Sequence, residues 1–263
     1  MLENNSHRLM FAAIAIVVSG AVFGTVHAAY PDVTNKLIDR IQTFTQIDPN
    51  EEKADFQFSY NNETKTASIY GIANPDIIKY GSLTIPSTTK HNGETYTINA
   101  IGSSAFSDIK LTSVKIPDTI TSIGTWAFKN DGLLSVNIPD SVTEISDGTF
   151  ANNNISNVIL GDKITKIGAY AFQNNDISNI SIPEGTEQIL IGAFDNNKLT
   201  NLYLPNSVKE VGNFTFSENK LTNGTVSINK NTVYNTGDDG NASFGQIWDD
   251  NLSKVVGLKP TLR

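Results

Sequence analysis

The chain holds few side chains that could do chemistry. It has three histidines and no cysteine in 263 residues. The absence of cysteine removes disulfides, thiolate metal sites and cysteine nucleophiles together. His7 and His27 fall in an N-terminal apolar stretch, and His91 sits in the turn-like segment KHNGE. A lone turn histidine is read as a solvated side chain rather than a general base, and a zinc site needs three or four ligands. No Gly-Lys dipeptide occurs, so there is no phosphate-cradling loop of the Walker type. One spacing does carry chemistry: Asp118, Asp140, Asp162 and Glu184 recur at a constant interval. If that interval makes one coil, with strands about 4.8 Å apart, such carboxylates could chelate calcium through oxygen. They would also stand near the separation of a retaining glycosidase pair, about 5 Å. The same residues, next after proline in three of the four cases and after Gly161 in the fourth, fit an Asx-type turn or cap. The turn reading is preferred, because any acidic column on stacked coils produces close pairs. No catalytic residue, metal or cofactor is expected.

The elements that place this column are repeats. Phe106, Phe128, Phe150, Phe172, Phe194 and Phe216 stand at the same constant interval, a period of about 22 residues. Counting from each Phe, an apolar residue stands five later (Leu111 to Leu221), ten later (Ile116 to Val226) and seventeen later (Ile123 to Val211). One such unit is too short to bury its apolar side, so units must stack. The segment six to ten after each Phe, such as Thr112–Ile116, alternates apolar and polar like a half-buried strand. Proline after it, at 117, 139, 183 and 205, ends the strand because it cannot donate to a ladder. The Phe column then forms an apolar spine. Gly124, Gly168 and Gly212 suit a tight bend toward the next Phe. Asparagine is abundant and recurs two and three positions after Phe, at Asn130, Asn152, Asn174 and Asn196 and at Asn153, Asn175, Asn197 and Asn219. Amides there can bond backbone groups of their own and neighbouring coils, and a structural ladder is preferred to a ligand site.

The unit LTSVKIPDTITSIGTWAFKND resembles the BspA-type leucine-rich repeat of bacterial surface proteins, of the form LxxVxIPxxVxxIGxxAFxxN. The likeness covers about 101–228, with a looser lead-in from Leu83-Thr-Ile-Pro86. It implies a right-handed leucine-rich-repeat solenoid with a parallel β-sheet face, secreted or surface-exposed, with adhesion or partner binding as its usual role. Gly161 replaces proline, Ser146 and Leu190 replace glycine, and Gly224 replaces the apolar residue eight after Phe216.

Around the repeats, the chain divides into further segments. Residues 1–28 read as a signal peptide or membrane anchor. Residues 9–26 are apolar or small after Arg8, and Val26 and Ala28 mark cleavage before Ala29. Retention of this run as an anchor stays open, since it nears the length that spans a bilayer. Both readings put the rest outside the cytoplasm, secreted or at the cell surface. Residues 29–55 hold a short amphipathic helix, with Val33, Leu37, Ile38, Ile41 and Phe44 at helical spacing, and a linker. Residues 56–100 form a β-hairpin and lead-in that cap the sheet. The repeats span 101–228, and 229–263 form a loop and a degenerate last repeat.

Charged residues are only 17% of the chain and its net charge is −8, which argues against nucleic acid as partner, since phosphate binding needs a basic face. Membrane contact is expected only through 9–26 if uncleaved. Binding is expected on the strand face, where side chains nine after each Phe point outward: Lys115, Asn137, Ile159, Ser181 and Tyr203. Most positions on this face are small and polar; Ile159 and Tyr203 break the pattern and suit a protein ligand on a host or neighbouring cell. A structural scaffold or a glycan-binding module is the alternative, though this face supplies few aromatics for a glycan. A carboxylate glycosidase ranks below both.

Overall fold

The computed structural model describes residues 55–75, 81–222, 225–235, 242–244, 246–249, 254–257 and 260–262. The expected targeting segment and helix, and the 236–241 loop, lie outside the described residues. The described chain is built of short strands and turns, with almost no helix.

At its start Phe56–Asn61 and Thr66–Ile72 pair antiparallel. Asn61 makes the turn, its Oδ1 accepting the Glu63 and Thr64 N–H groups at 3.0 and 3.1 Å. Thr66–Ile72 runs parallel beside Glu94–Ile101, which in turn runs parallel beside Ser122–Ile123. A second lead-in strand, Ser82–Thr84, pairs parallel with Ser113–Lys115.

These two partners begin two columns. The first holds Ser113–Lys115, Ser135–Asn137, Asn157–Ile159, Leu202–Tyr203 and Val226–Ile228; the second holds Ser122–Ile123, Glu144–Ile145, Lys166–Ile167, Gln188–Ile189, Glu210–Val211 and Val233–Tyr234. Within the columns the paired strands run parallel: Val158 lies opposite Val136, and Ile167 lies between Ile145 and Ile189. One sheet face was expected from the sequence, and the second column is the difference. Its strands are two residues long, too short for alternation to show.

The glycines after the second column also act differently from the reading of a bend. None of Gly124, Gly168 and Gly212 has a left-handed φ, and a Cβ at Gly124 or Gly212 would lie 2.5 Å from the backbone nitrogen of Ser103 or Ile191. Glycine there admits the backbone of the preceding coil. The left-handed positions flank the Phe instead: two before it (Ser104, Trp126, Gly148, Tyr170, Gly192, Phe214) and two after it (Asp108, Asn130, Asn152, Asn174, Asn196, Glu218).

The Phe spine is buried throughout, with successive centroids 5.2–5.7 Å apart from Phe106 to Phe244. Nearly coplanar rings at that distance are offset stacks. Near the end the register slips earlier than the sequence reading put it. Val226 and Ser227, rather than Gly224 and Thr225, stand opposite Leu202 and Tyr203. Just before them the chain makes a turn in which Thr225 Oγ1 donates to the Thr222 carbonyl at 2.7 Å. Beyond Phe244, Gln246–Asp249 and Lys254–Gly257 form an antiparallel hairpin, and Thr261–Leu262 pairs parallel with Val226–Ile228.

From Phe150 to Phe216, the third residue after the Phe locks the coils. Asn153 Nδ2 donates to the carbonyls of Phe128, Phe150 and Ala151 at 2.8, 3.1 and 3.3 Å, while its Oδ1 accepts the Leu133 N–H at 3.1 Å. Asn175, Asn197 and Asn219 repeat the same four bonds. One coil breaks the series. Asp131 uses Oδ1 for the Ile109 and Leu111 N–H groups, but its Oδ2 is buried with no partner, in the column where Asn153 offers an NH₂. Burial pushes the Asp131 carboxyl up to about 6, against the backbone N–H bonds of Leu111 and Ile109 that pull it down.

This interior can be tested at two points. Phe172→Ala should lower stability by about 3–5 kcal/mol, seen as a large drop in the urea midpoint; an unchanged midpoint would place Phe172 outside the core. Asp131→Asn should stabilise the protein at pH 8 by about 1–2 kcal/mol, since it supplies the missing donor. The folded-state value is raised, so the stability of the acid form is complete below the ordinary 3.8 and lost as pH rises through about 6. The advantage of the variant should therefore shrink between pH 8 and pH 5, and equal advantages at both would contradict the assignment.

Candidate binding surface

The first strand column sets the expected face. Inward residues Val136 and Leu202 are buried and Val114 and Val158 pack against the core, so their neighbours point out by the two-residue alternation. Lys115, Asn137, Ile159 and Tyr203 are all exposed on these strands, while Ser181 is exposed on a segment with no assigned strand. Asn137 and Ile159 are direct neighbours. Ile159 and Tyr203 are 55% and 53% exposed, and they stand as large apolar side chains in a polar row. Residues seven after each Phe flank this row with hydroxyls and amides, among them Ser113, which donates to Ser82 Oγ at 3.0 Å.

In the acidic column Asp140 is tied to the backbone. Asp140 Oδ1 accepts the Asp162 N–H one coil away at 2.9 Å, so the carboxylate bridges coils rather than capping its own turn. His91 lies in the lead-in, stacked on Tyr60 with centroids 4.1 Å apart. Beside it Lys65 and Glu94 form an exposed ion pair at 2.6 Å; their hydrogen bond raises Lys65 and lowers Glu94 from their ordinary values.

A second exposed row escaped the sequence reading. Trp126, Tyr170 and Phe214 stand two residues before Phe128, Phe172 and Phe216, and are 50%, 41% and 37% exposed. Gly148 and Gly192 occupy the same place on the coils between. Their signal is present in the sequence as aromatics at every second repeat, a doubled period that a one-coil register does not bring out.

The repeats match, in six copies over residues 98–236, a family described as the BspA type leucine rich repeat region. Among curated proteins none matches. Two solved structures are similar: a leucine-rich repeat protein from Bacteroides ovatus, 23% identical with a TM-score of 0.50 over 69% of this chain, and a leucine rich cell surface protein from Faecalibacterium prausnitzii, 23% identical with a TM-score of 0.51 over 76% of this chain. The chain spans 64% and 56% of those two proteins, less than two thirds of either. Likeness at this identity bears on the fold: parallel strands carried by leucine-rich repeats.

Proposed function

The chain belongs to the BspA type leucine rich repeat family, and from that premise we propose that it is a non-enzymatic, extracytoplasmic binding module. Its repeats wind as a right-handed coil of about 22 residues per turn, and residues 1–28 direct the protein out of the cytoplasm as a cleaved signal or an anchor. No helix among the described residues is long and apolar enough to cross a membrane; the apolar run 9–26 lies outside them. The naming of the Faecalibacterium relative as a cell surface protein supports this location.

Binding runs through the first strand column, as adhesion to a protein on a host or neighbouring cell. One observation carries this reading: Ile159 and Tyr203, 55% and 53% exposed, share an outward row with Lys115, Asn137 and Ser181. Two coils separate them, roughly 10 Å at the strand spacing, so one element of a partner can touch both. Exposed aromatic and aliphatic anchors in a polar surround are the usual centres of protein recognition.

Purified protein should bind at least one member of a panel of extracellular-matrix proteins. The paired change Ile159→Ser with Tyr203→Ser should weaken that binding about tenfold or more and leave the stability read from urea unfolding within about 1 kcal/mol of the parent. A loss of several kcal/mol would make these residues core. Binding to no panel member would favour the scaffold role, and intact binding by a folded pair variant would move the site elsewhere.

A further inference from the structure

We propose that the Trp126–Tyr170–Phe214 row is a stacking platform for an extended β-1,4-linked polysaccharide chain, on a surface separate from the strand face. The first ground is strain. All three residues sit at left-handed φ, 59°, 57° and 56°, a region that bulky L-residues rarely occupy. The same position is filled by glycine at 148 and 192, so the turn itself does not require a ring. Nor does the core, since these rings are the exposed ones and the spine two residues on is buried. Strained, exposed aromatics kept where glycine suffices point to use rather than to packing.

The second ground is how the rings are held. A Cβ at Gly148 would lie 2.6 Å from Trp126 Nε1, and one at Gly192 would lie 2.5 Å from Tyr170 Cδ1 and Cε1. The Trp126 and Tyr170 rings therefore lean along the array into the room that the next coil leaves by carrying glycine. Alternation of ring and glycine is what permits this: a side chain at 148 or 192 would displace the ring below. These two rings are thereby fixed in place, at low conformational cost on binding.

The third ground is spacing. Successive rings are two coils apart, about 10 Å, and two β-1,4-linked pyranose units in an extended chain have the same length. Alternate sugars in such a chain turn the same face to one side, so each ring meets an equivalent sugar. The apolar C–H face of a pyranose suits the electron-rich face of an aromatic ring. Polar side chains stand close by on the same turns, three residues after the ring or its glycine: Lys129, Gln173 and Asp195 donate their backbone N–H to the carbonyls of Trp126, Tyr170 and Gly192. Lys129 Nζ lies over the Trp126 ring, 5.6 Å from its centre, so a sugar stacked on that face takes the place of the ammonium, which swings aside on its flexible stem. Gln173 Nε2 donates to Asp195 Oδ2 at 2.9 Å. These mixed polar groups meet sugar hydroxyls, and a net charge of −8 favours a neutral polymer over a polyanion.

The test is retention of the full-length protein on microcrystalline cellulose and on chitin, with titration of soluble β-1,4 oligosaccharides of two to six sugars. Parent protein should be retained on at least one, with glucose and N-acetylglucosamine polymers distinguishing the source, and six sugars should bind more tightly than two. Trp126→Gly with Tyr170→Gly copies the neighbouring coils and so keeps the fold; it should weaken binding roughly tenfold or more with no fall in the urea midpoint. The Ile159→Ser, Tyr203→Ser pair should bind these glycans as the parent does, which separates this row from the strand face. No retention on either polymer, equal binding of an α-linked glucan, or undiminished binding by the glycine variant would overturn the proposal. So would a glycine variant that loses matrix-protein binding alone, since the row would then be a protein contact.

Discussion

The structure depends on finding partners for backbone groups that strands leave unpaired. Each coil contributes strand pieces of only two or three residues. The turn around each Phe adds backbone bonds to the next coil, as where the Trp126, Phe128 and Asn130 N–H groups donate to the Asp147, Thr149 and Ala151 carbonyls, but much of the turn still needs other partners. Those turns wrap a buried Phe and carry their own amides and carbonyls inward, where an unpaired polar group costs about 1–3 kcal/mol. The asparagine three residues after the Phe meets this need: its amide serves carbonyls of two coils, and its carbonyl takes an amide of the coil before. Phe stacking supplies the apolar area, and the asparagine makes that area usable by satisfying the polar groups around it. Turn, spine and strand spacing then agree on one repeat, which is what allows strands this short to stay in register.

Much of this was legible in the residues. The spacing of Phe106 to Phe216 located the spine, and the asparagines that follow Phe128 to Phe216 pointed to a ladder. Alternation over Thr112–Ile116 located the first strand column and the outward side of Ile159 and Tyr203. What could not be read was short or close. Two-residue strands such as Lys166–Ile167 leave no alternation to detect. Gly124 and Gly212 looked like bends, because sequence does not say whether a glycine serves φ or close approach. The slip near Gly224 stayed invisible while the period was extrapolated through it. Trp126, Tyr170 and Phe214 were missed for another reason: they repeat every second coil, and only a structure shows that they face outward beside Gly148 and Gly192.

A repeat that solves its interior once leaves its surface open to variation. Positions whose bonds close within the backbone, such as Asp140 to Asp162, are fixed by folding. Positions outward of the buried spine and strands are not, and among the large apolar side chains exposed there two rows of different character recur along the coils. The strand row is sparse and flat, with one aliphatic and one aromatic anchor. The turn row is aromatic, strained and evenly spaced. Two rows of unlike chemistry on one scaffold are the basis of the two contacts proposed.

The account stands most directly on the asparagine column, and Asn175→Asp probes it at the middle of the array. Aspartate keeps the shape and the acceptor for the Ile155 N–H, but removes the donor that serves Phe150, Phe172 and Gln173. The urea midpoint measured at pH 8 should correspond to a loss of about 3 kcal/mol or more, and much of it should return at pH 5, where the acid can donate again. A midpoint equal to the parent at pH 8, or a loss that is the same at both pH values, would contradict the claim that amide donation to these carbonyls holds the coils together.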